Sequence, residues 1–122
     1  HQVQVIRPFL VDSLDISTEQ RQKIVELCQS ATEKRLVVTH GTDTMVETAK
    51  KIHDSVQDKT IVLTGAFIPA QVAFSDAELN LGFALGCVQS CPNGVYIAMN
   101  GQIFEANKVM KDMKLGVFRP TT

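Results

Sequence analysis

The sequence has few cysteines and no long apolar run. The first observation argues against a disulfide-rich or zinc-binding protein, and the second argues against a transmembrane protein. Three cysteines, Cys28, Cys87 and Cys91, occur in 122 residues. Their odd number and their spacing match neither a disulfide framework nor a zinc site. No apolar stretch reaches the roughly 20 residues of a transmembrane helix. The first residues do not have the pattern of a signal peptide, and the sequence starts at His1 without a methionine, so we expect the natural N-terminus to lie upstream. We therefore expect reduced thiols, no metal, no membrane contact and a cytoplasmic location.

The chain also lacks an excess of either charge and lacks a glycine-rich nucleotide motif. It has 12 basic and 13 acidic residues, and the basic ones are scattered. This balance does not indicate a nucleic-acid partner. The glycines match neither the dinucleotide nor the P-loop fingerprint, so we expect no cofactor. Hydrophobic residues make up 44% of the chain, which is enough for one domain with a buried core.

Strand and helix patterns alternate along the chain. "QVQVI" indicates a first strand, and the apolar runs "RLVVT", "TIVLTG" and "VYIAM" read as strands buried on both faces. Helical patterns lie between them, the first opened by a capping box of Ser17 and Gln20. The dipeptide Asn100-Gly101 predicts a hairpin turn. The sequence thus predicts an α/β fold: a three-layer, doubly wound, mostly parallel sheet of the Rossmann or flavodoxin-like type, with a small terminal β-hairpin.

The third helix is predicted with more detail. Ser75 and Glu78 have the spacing of a second capping box. Two glycines four residues apart suggest points of close packing. The predicted buried face of this helix consists of Leu79, Phe83, Leu85 and Val88, with Gly82 and Gly86 as the close-packing glycines.

Polar residues gather where the predicted strands end, which is where ligands bind in such sheets. Thr42 in "HGTDT" has two interpretations. It caps the following helix while Asp43 complements the helix dipole, or it is a nucleophile or water activator beside backbone N–H groups that bind an oxyanion. The residues alone favour the cap. A reactive threonine also needs a base, for which a lysine kept neutral by desolvation would serve. Ser13 is a turn residue first and a ligand group second.

Four segments together resemble the bacterial-type L-asparaginase family. "VVTHGTDTMVETA" is similar to its second signature and "DSLDI" to its substrate-carboxylate loop. "IVLTGAFIPAQVAFSDAELNL" and "GVYIAMNGQIFEANKVMKD" resemble its next segment and the stretch that ends in its catalytic lysine. The resemblance covers nearly the whole chain. It implies that residues 1–122 form a single N-terminal-type domain without the family's first strand, because the Thr-Gly-Gly-Thr-Ile turn of that strand does not occur in the sequence.

The resemblance implies an amidohydrolase that converts the side-chain amide of asparagine, or a similar small amide, to a carboxylate and ammonia. Two threonines act in the family, one in the Thr-Gly-Gly-Thr-Ile turn and one in the HGTDT turn. Carried over, Thr42 is the second threonine and forms a triad with Asp43 and Lys111. Asp43 also binds the α-ammonium group of the substrate. No metal or cofactor is implied, and a homo-oligomer is expected.

The same resemblance implies a substrate pocket. Ser13 would hold the α-carboxylate, and the backbone of Ala66 would contact the amide that is cleaved. Leu14 stands where many members have a polar residue that touches the substrate. This departure and the missing turn leave open a catalytically impaired amino-acid-binding module. The apolar residues of the predicted loop "AFIPAQVAF" leave open an assembly domain of the same fold.

Overall fold

The computed structural model describes residues 2–7, 16–67, 75–112 and 114–121. These ranges contain three α-helices and seven strands, together with a 3-10 turn at Ala106–Lys108. The elements are β1 (Val3–Ile6), α1 (Thr18–Ser30), β2 (Arg35–Thr39), α2 (Met45–Ser55), β3 (Thr60–Thr64), α3 (Ala77–Ser90), β4 (Gly94–Met99), β5 (Gln102–Glu105), β6 (Val109–Asp112) and β7 (Val117–Pro120). The predicted alternation of strands and helices is confirmed. None of the helices in the described ranges has the length and apolarity needed to cross a bilayer.

The main sheet has five strands in the order β1-β2-β3-β4-β5. The first four are parallel, and β5 returns antiparallel to β4. Between β4 and β5, Asn100 has φ 52° and Gly101 has φ 75°. Two successive left-handed residues are what a type I′ turn requires, and Asn-Gly is the pair that adopts it most readily. The mostly parallel sheet and this hairpin are both confirmed.

Helices cover both faces of the sheet. Apolar side chains of α1 and α2 pack with one set of alternating strand residues, which includes Leu36, Ile61 and Ile97. Side chains of α3 pack on the opposite face, against Val62 and its neighbours. Every residue of β3 is buried, since this strand has a strand on each side and a helix layer on each face. The predicted three-layer arrangement is confirmed.

The positions of α2 and α3 require an unusual connection. The chain moves in the same direction across the sheet from β2 to β3 and from β3 to β4. Two right-handed crossovers in one direction place both helices on one face, but α2 and α3 lie on opposite faces. One of the two crossovers is therefore left-handed, which is rare among parallel β-α-β units.

Of the two predicted capping boxes, the one at α1 is confirmed and the one at α3 is not. At α1, the Gln20 N–H donates to Ser17 Oγ and the Ser17 N–H donates to Gln20 Oε1. At α3 the prediction was wrong, because Asp76 is the N-cap residue. The hydroxyl of Ser75 instead accepts the Ala77 N–H at 3.1 Å. The helix thus begins one residue later than the spacing indicated, and Glu78 is not at the third helical position.

The predicted buried face of α3 was wrong in part. Val88 is buried as predicted, and Phe83 and Leu85 are partly buried against the core. The helix buries Asn80, Ala84 and Val88, whereas Leu79 is 73% exposed. A Cβ atom added at either predicted close-packing glycine, 82 or 86, would meet no atom within 4 Å. Apolar residues lie all around this helix, so the pattern contains little information about which side faces the sheet.

Candidate active site

The HGTDT turn joins β2 to α2 at the carboxyl edge of the sheet. Helix α2 begins at Met45, and Thr44 is its N-cap residue. The interpretation of Thr42 as the N-cap was therefore wrong. The hydroxyl of Thr44 does not cap the helix either, and this buried oxygen has no hydrogen-bond partner among the residues that the structure describes. Thr42 lies in the turn itself, where its hydroxyl is available to a side chain from elsewhere in the chain.

That side chain is Lys111, on β6. Its Nζ donates a hydrogen bond to Thr42 Oγ1 at 3.0 Å and forms an ion pair with the carboxylate of Asp43. The Lys111 side chain is 11% exposed and that of Asp43 is 33% exposed. An amine, a hydroxyl and a carboxylate thus meet in one half-buried cluster, although 69 residues separate the lysine from the threonine.

A second hairpin that the sequence did not predict positions the lysine. Strands β6 and β7 form a two-stranded antiparallel sheet of their own, with Lys111 opposite Phe118. The ring of Phe118 lies 5.7 Å from the ring of Phe67, and Lys111 Nζ lies 5.6 Å from the centre of the Phe67 ring. The Phe67 ring face attracts the positive charge of the Lys111 amine, and the hairpin holds Phe118 against that ring.

The turn after β3 lies beside the HGTDT turn. Thr39 pairs with Thr64 in register, and the His40 N–H donates to the Thr64 carbonyl at 2.9 Å. A Cβ atom on Gly65 would lie 2.2 Å from the His40 carbonyl oxygen, so only glycine allows the two turns to approach so closely. Ala66 follows directly, between this contact and Phe67. The structure therefore places the Ala66 backbone at the same edge as the lysine cluster.

His40 is a buried hydrogen-bonding residue of this edge. Its Nδ1 lies 2.7 Å from the Gly41 carbonyl oxygen, and its Nε2 lies 2.8 Å from Thr48 Oγ1. Because a carbonyl only accepts, Nδ1 carries the proton and Nε2 accepts from the Thr48 hydroxyl. Burial lowers the pKa of His40, the hydrogen bond to Gly41 opposes this, and the nearby Arg21 guanidinium lowers it further.

Two of the predicted substrate residues, Ser13 and Leu14, lie outside the described residues. In the part of the chain that is described, no group of three or more His, Cys, Asp or Glu side chains is arranged to hold a metal ion. The thiols of Cys28, Cys87 and Cys91 are free.

Sequence reasoning missed three residues that shape this edge, Phe67, Asp76 and Asn80. A signal for two of them was present, since "SDAELN" places an aspartate and an asparagine one helical turn apart at the start of an otherwise apolar helix. Phe67 gave no such signal, because its role depends on the unpredicted β6–β7 hairpin.

Comparisons with known proteins agree on one family. The family model "Asparaginase, N-terminal" matches residues 1–116. The glutaminase-asparaginase of Acinetobacter glutaminasificans is 36% identical over 98 residues, which are 77% of this chain and 30% of that protein. The probable periplasmic L-asparaginase of Haemophilus influenzae is 42% identical over 79 residues, 62% of this chain and 23% of that protein. The chain thus spans less than a third of the length of these relatives.

Solved structures show the same similarity. The thermostable L-asparaginase from Thermococcus kodakarensis superposes with a TM-score of 0.82 at 30% identity, over 90% of this chain and 35% of that one. L-asparaginase I from Vibrio cholerae gives a TM-score of 0.78 at 27% identity, over 91% of this chain and 36% of that one. The backbone of the described elements is therefore that of a domain found in longer proteins.

Proposed function

Since the chain belongs to the asparaginase family, we propose that it is the amide-hydrolysing domain of an asparaginase-type enzyme. Its substrate is asparagine or a similar small amide, and its products are a carboxylate and ammonia. The observation that supports this most directly is the contact of Lys111 with both Thr42 and Asp43. We further propose that residues 1–122 form one N-terminal-type domain, which the match of residues 1–116 to the family model supports.

The proposed chemistry assigns a role to each member of the cluster. Lys111 acts as the general base that accepts the proton of the Thr42 hydroxyl, and Thr42 acts as the nucleophile or activates the attacking water. The oxygen of Thr42 or of the activated water bonds to the amide carbon, the C–N bond breaks, and the nitrogen leaves as ammonia with the transferred proton. Where Thr42 is the nucleophile, water then hydrolyses the resulting ester to the carboxylate and restores the Thr42 hydroxyl. Asp43 stabilises the positive charge that arises on Lys111 and binds the α-ammonium of the substrate.

The remaining substrate contacts are proposed from the family resemblance. Ser13 binds the α-carboxylate beside Leu14, and the backbone of Ala66 contacts the amide. The Thr42 N–H helps to bind the oxyanion that forms during attack. The position of Ala66 next to the lysine cluster supports its part in this arrangement.

The test is ammonia release from asparagine and glutamine. It uses the full translation product of the coding sequence, because the family's first threonine lies in a Thr-Gly-Gly-Thr-Ile turn that residues 1–122 do not contain. We expect Thr42→Val and Lys111→Met each to lower kcat by roughly 10²–10⁴-fold, which is the usual contribution of proton transfer. Lys108→Met is the matched control, because Lys108 is exposed and pairs with Glu105 instead.

Two results would contradict the proposal. One is the absence of turnover on any small amide, and the other is a Thr42→Val variant as active as the parent. Saturable thermal stabilisation by asparagine or aspartate without turnover would instead identify an amino-acid-binding module.

The location and assembly of the protein are part of the same proposal. We place it in the cytoplasm, in line with its three free thiols. We also propose a homo-oligomer, as the family resemblance implies. Cell fractionation tests the location, and mass measurement in solution tests the assembly.

A further inference from the structure

Asn80 is a fully buried amide on an otherwise apolar face of α3. Its neighbours on that face, Ala84 and Val88, are small or apolar. An amide group taken out of water costs free energy unless its donors and acceptor find partners. The buried amide group of Asn80 is therefore expected to form hydrogen bonds with groups of the surrounding structure.

Its side chain connects three parts of the structure. Nδ2 donates to the Gly65 carbonyl at 2.9 Å and to Asp76 Oδ2 at 3.0 Å. Oδ1 accepts the Asn100 N–H at 2.9 Å. The amide orientation is fixed by chemistry, since the carbonyl and carboxylate only accept and the backbone N–H only donates. Asn80 thus links the end of β3, the end of β4 and the start of α3.

Asp76 completes a clamp around one residue. Its Oδ2 also accepts the Phe67 N–H at 3.1 Å. Asn80 therefore holds the carbonyl of Gly65, and Asp76 holds the N–H of Phe67. These two groups belong to the residues immediately before and after Ala66, so both peptide units that flank Ala66 are fixed by side chains from α3.

We propose that Asn80, together with Asp76, is a positioning residue of the candidate active site. It fixes the turn from Gly65 to Phe67 so that the backbone of Ala66 meets the amide group of the substrate. This inference rests on the proposed function for the role of Ala66, but the clamp itself rests on the hydrogen bonds alone. A displacement of about 1 Å at a reacting group can lower a rate by about 10²-fold.

Kinetics of two variants on the same face of α3 test the catalytic part. Asn80→Leu keeps the branched shape of the side chain and loses the three hydrogen bonds. Val88→Ala, on the same face of α3, weakens packing without touching the turn. We expect Asn80→Leu to lower kcat by about 10–100-fold with less than about threefold change in KM for asparagine, because the α-ammonium and α-carboxylate contacts lie elsewhere. A kcat loss no greater than that of Val88→Ala would overturn the proposal.

Hydrogen exchange tests the clamp without reference to activity. In Asn80→Leu, we expect the amides of Asn100 and Phe67 to exchange at least about tenfold faster than in the parent, relative to Val62 in β3. Asp76→Ala gives a second variant, for which the acceleration is expected at Phe67. Unchanged exchange at these amides would refute the clamp even in a protein that hydrolyses asparagine. Accelerated exchange in a protein without amide turnover would uphold the clamp and reject only the proposed function.

Discussion

At the scale of single residues, a directed chain of hydrogen bonds supports the HGTDT turn. Arg21 Nε donates to Thr48 Oγ1 at 2.9 Å, the Thr48 hydroxyl donates to His40 Nε2, and His40 Nδ1 donates to the Gly41 carbonyl. This series of hydrogen bonds requires the neutral imidazole of His40, in which Nε2 accepts a hydrogen bond. Protonation of His40 would replace that acceptor with a donor and add a positive charge near the Arg21 guanidinium.

The lowered pKa of His40 predicts a loss of stability in acid. An unfolded histidine has a pKa of about 6.5, and the folded value is lower because of burial. Below pH 6.5 the unfolded chain binds a proton that the folded chain does not, so the free energy of unfolding falls as the pH drops. The fall levels off below the folded pKa and amounts to about 1.4 kcal/mol for each unit by which the pKa is lowered.

Urea unfolding at pH 7.5 and at pH 5.5 measures this effect. His40→Gln is expected to reduce the difference between the two pH values. His53→Gln, which changes an exposed histidine of α2, is expected to retain it. An equal pH dependence in the parent and in His40→Gln would show that another group causes the acid sensitivity.

At the scale of elements, replacement of glycine by alanine is expected to have opposite effects on stability at Gly65 and at Gly86. Gly65→Ala places a Cβ atom 2.2 Å from a backbone oxygen at the ends of β2 and β3. We expect it to lower the free energy of unfolding by about 1–3 kcal/mol or more, as for other overpacked sites. Gly86 lies within α3, and a Cβ atom added there would meet no atom within 4 Å. Gly86→Ala is therefore expected to raise the free energy of unfolding by about 0.5–1 kcal/mol. Urea titrations of both variants measure these changes. A Gly65→Ala variant as stable as the parent would contradict the close approach of Gly65 to the His40 carbonyl.

The elements also show which parts of the structure can be predicted from patterns in the sequence. The buried strands and α1 were predicted because apolar runs and the Ser17 capping box are local signals. The buried face of α3 was predicted only in part, because Leu79 and Ala84 are both apolar and only the shape of the sheet distinguishes them. The predicted cluster of Thr42, Asp43 and Lys111 came from the family resemblance, since neither spacing nor periodicity connects a lysine to a turn so far away. The β6–β7 hairpin lacks a strong turn dipeptide, so its strands gave no clear pattern.

At the scale of the whole molecule, the candidate site lies between the main sheet and the β6–β7 hairpin. Thr42 and Asp43 extend from the main sheet, whose strand β3 is buried throughout. Lys111 lies on the β6–β7 hairpin, which has two strands and is separate from that sheet. Small sheets of this kind open more readily than a central strand.

We therefore expect the hairpin to open before the sheet does. Native-state hydrogen exchange should show amides of β6 and β7 exchanging at least about tenfold faster than those of β3. In low urea, ammonia release should fall before the far-ultraviolet circular dichroism of the sheet changes. Simultaneous loss of both signals, with equal exchange in hairpin and sheet, would indicate a single cooperative unit.

The long separation between the threonine and the lysine has a consequence for protein synthesis. Thr42 leaves the ribosome 69 residues ahead of Lys111, an interval of roughly 3 to 14 seconds at ordinary translation rates. Throughout this interval the nascent chain has the hydroxyl and the carboxylate but not the amine. A ribosome-bound chain from which Lys111 has not yet emerged thus lacks the base proposed for Thr42, and the cluster is complete only after Lys111 has left the ribosome.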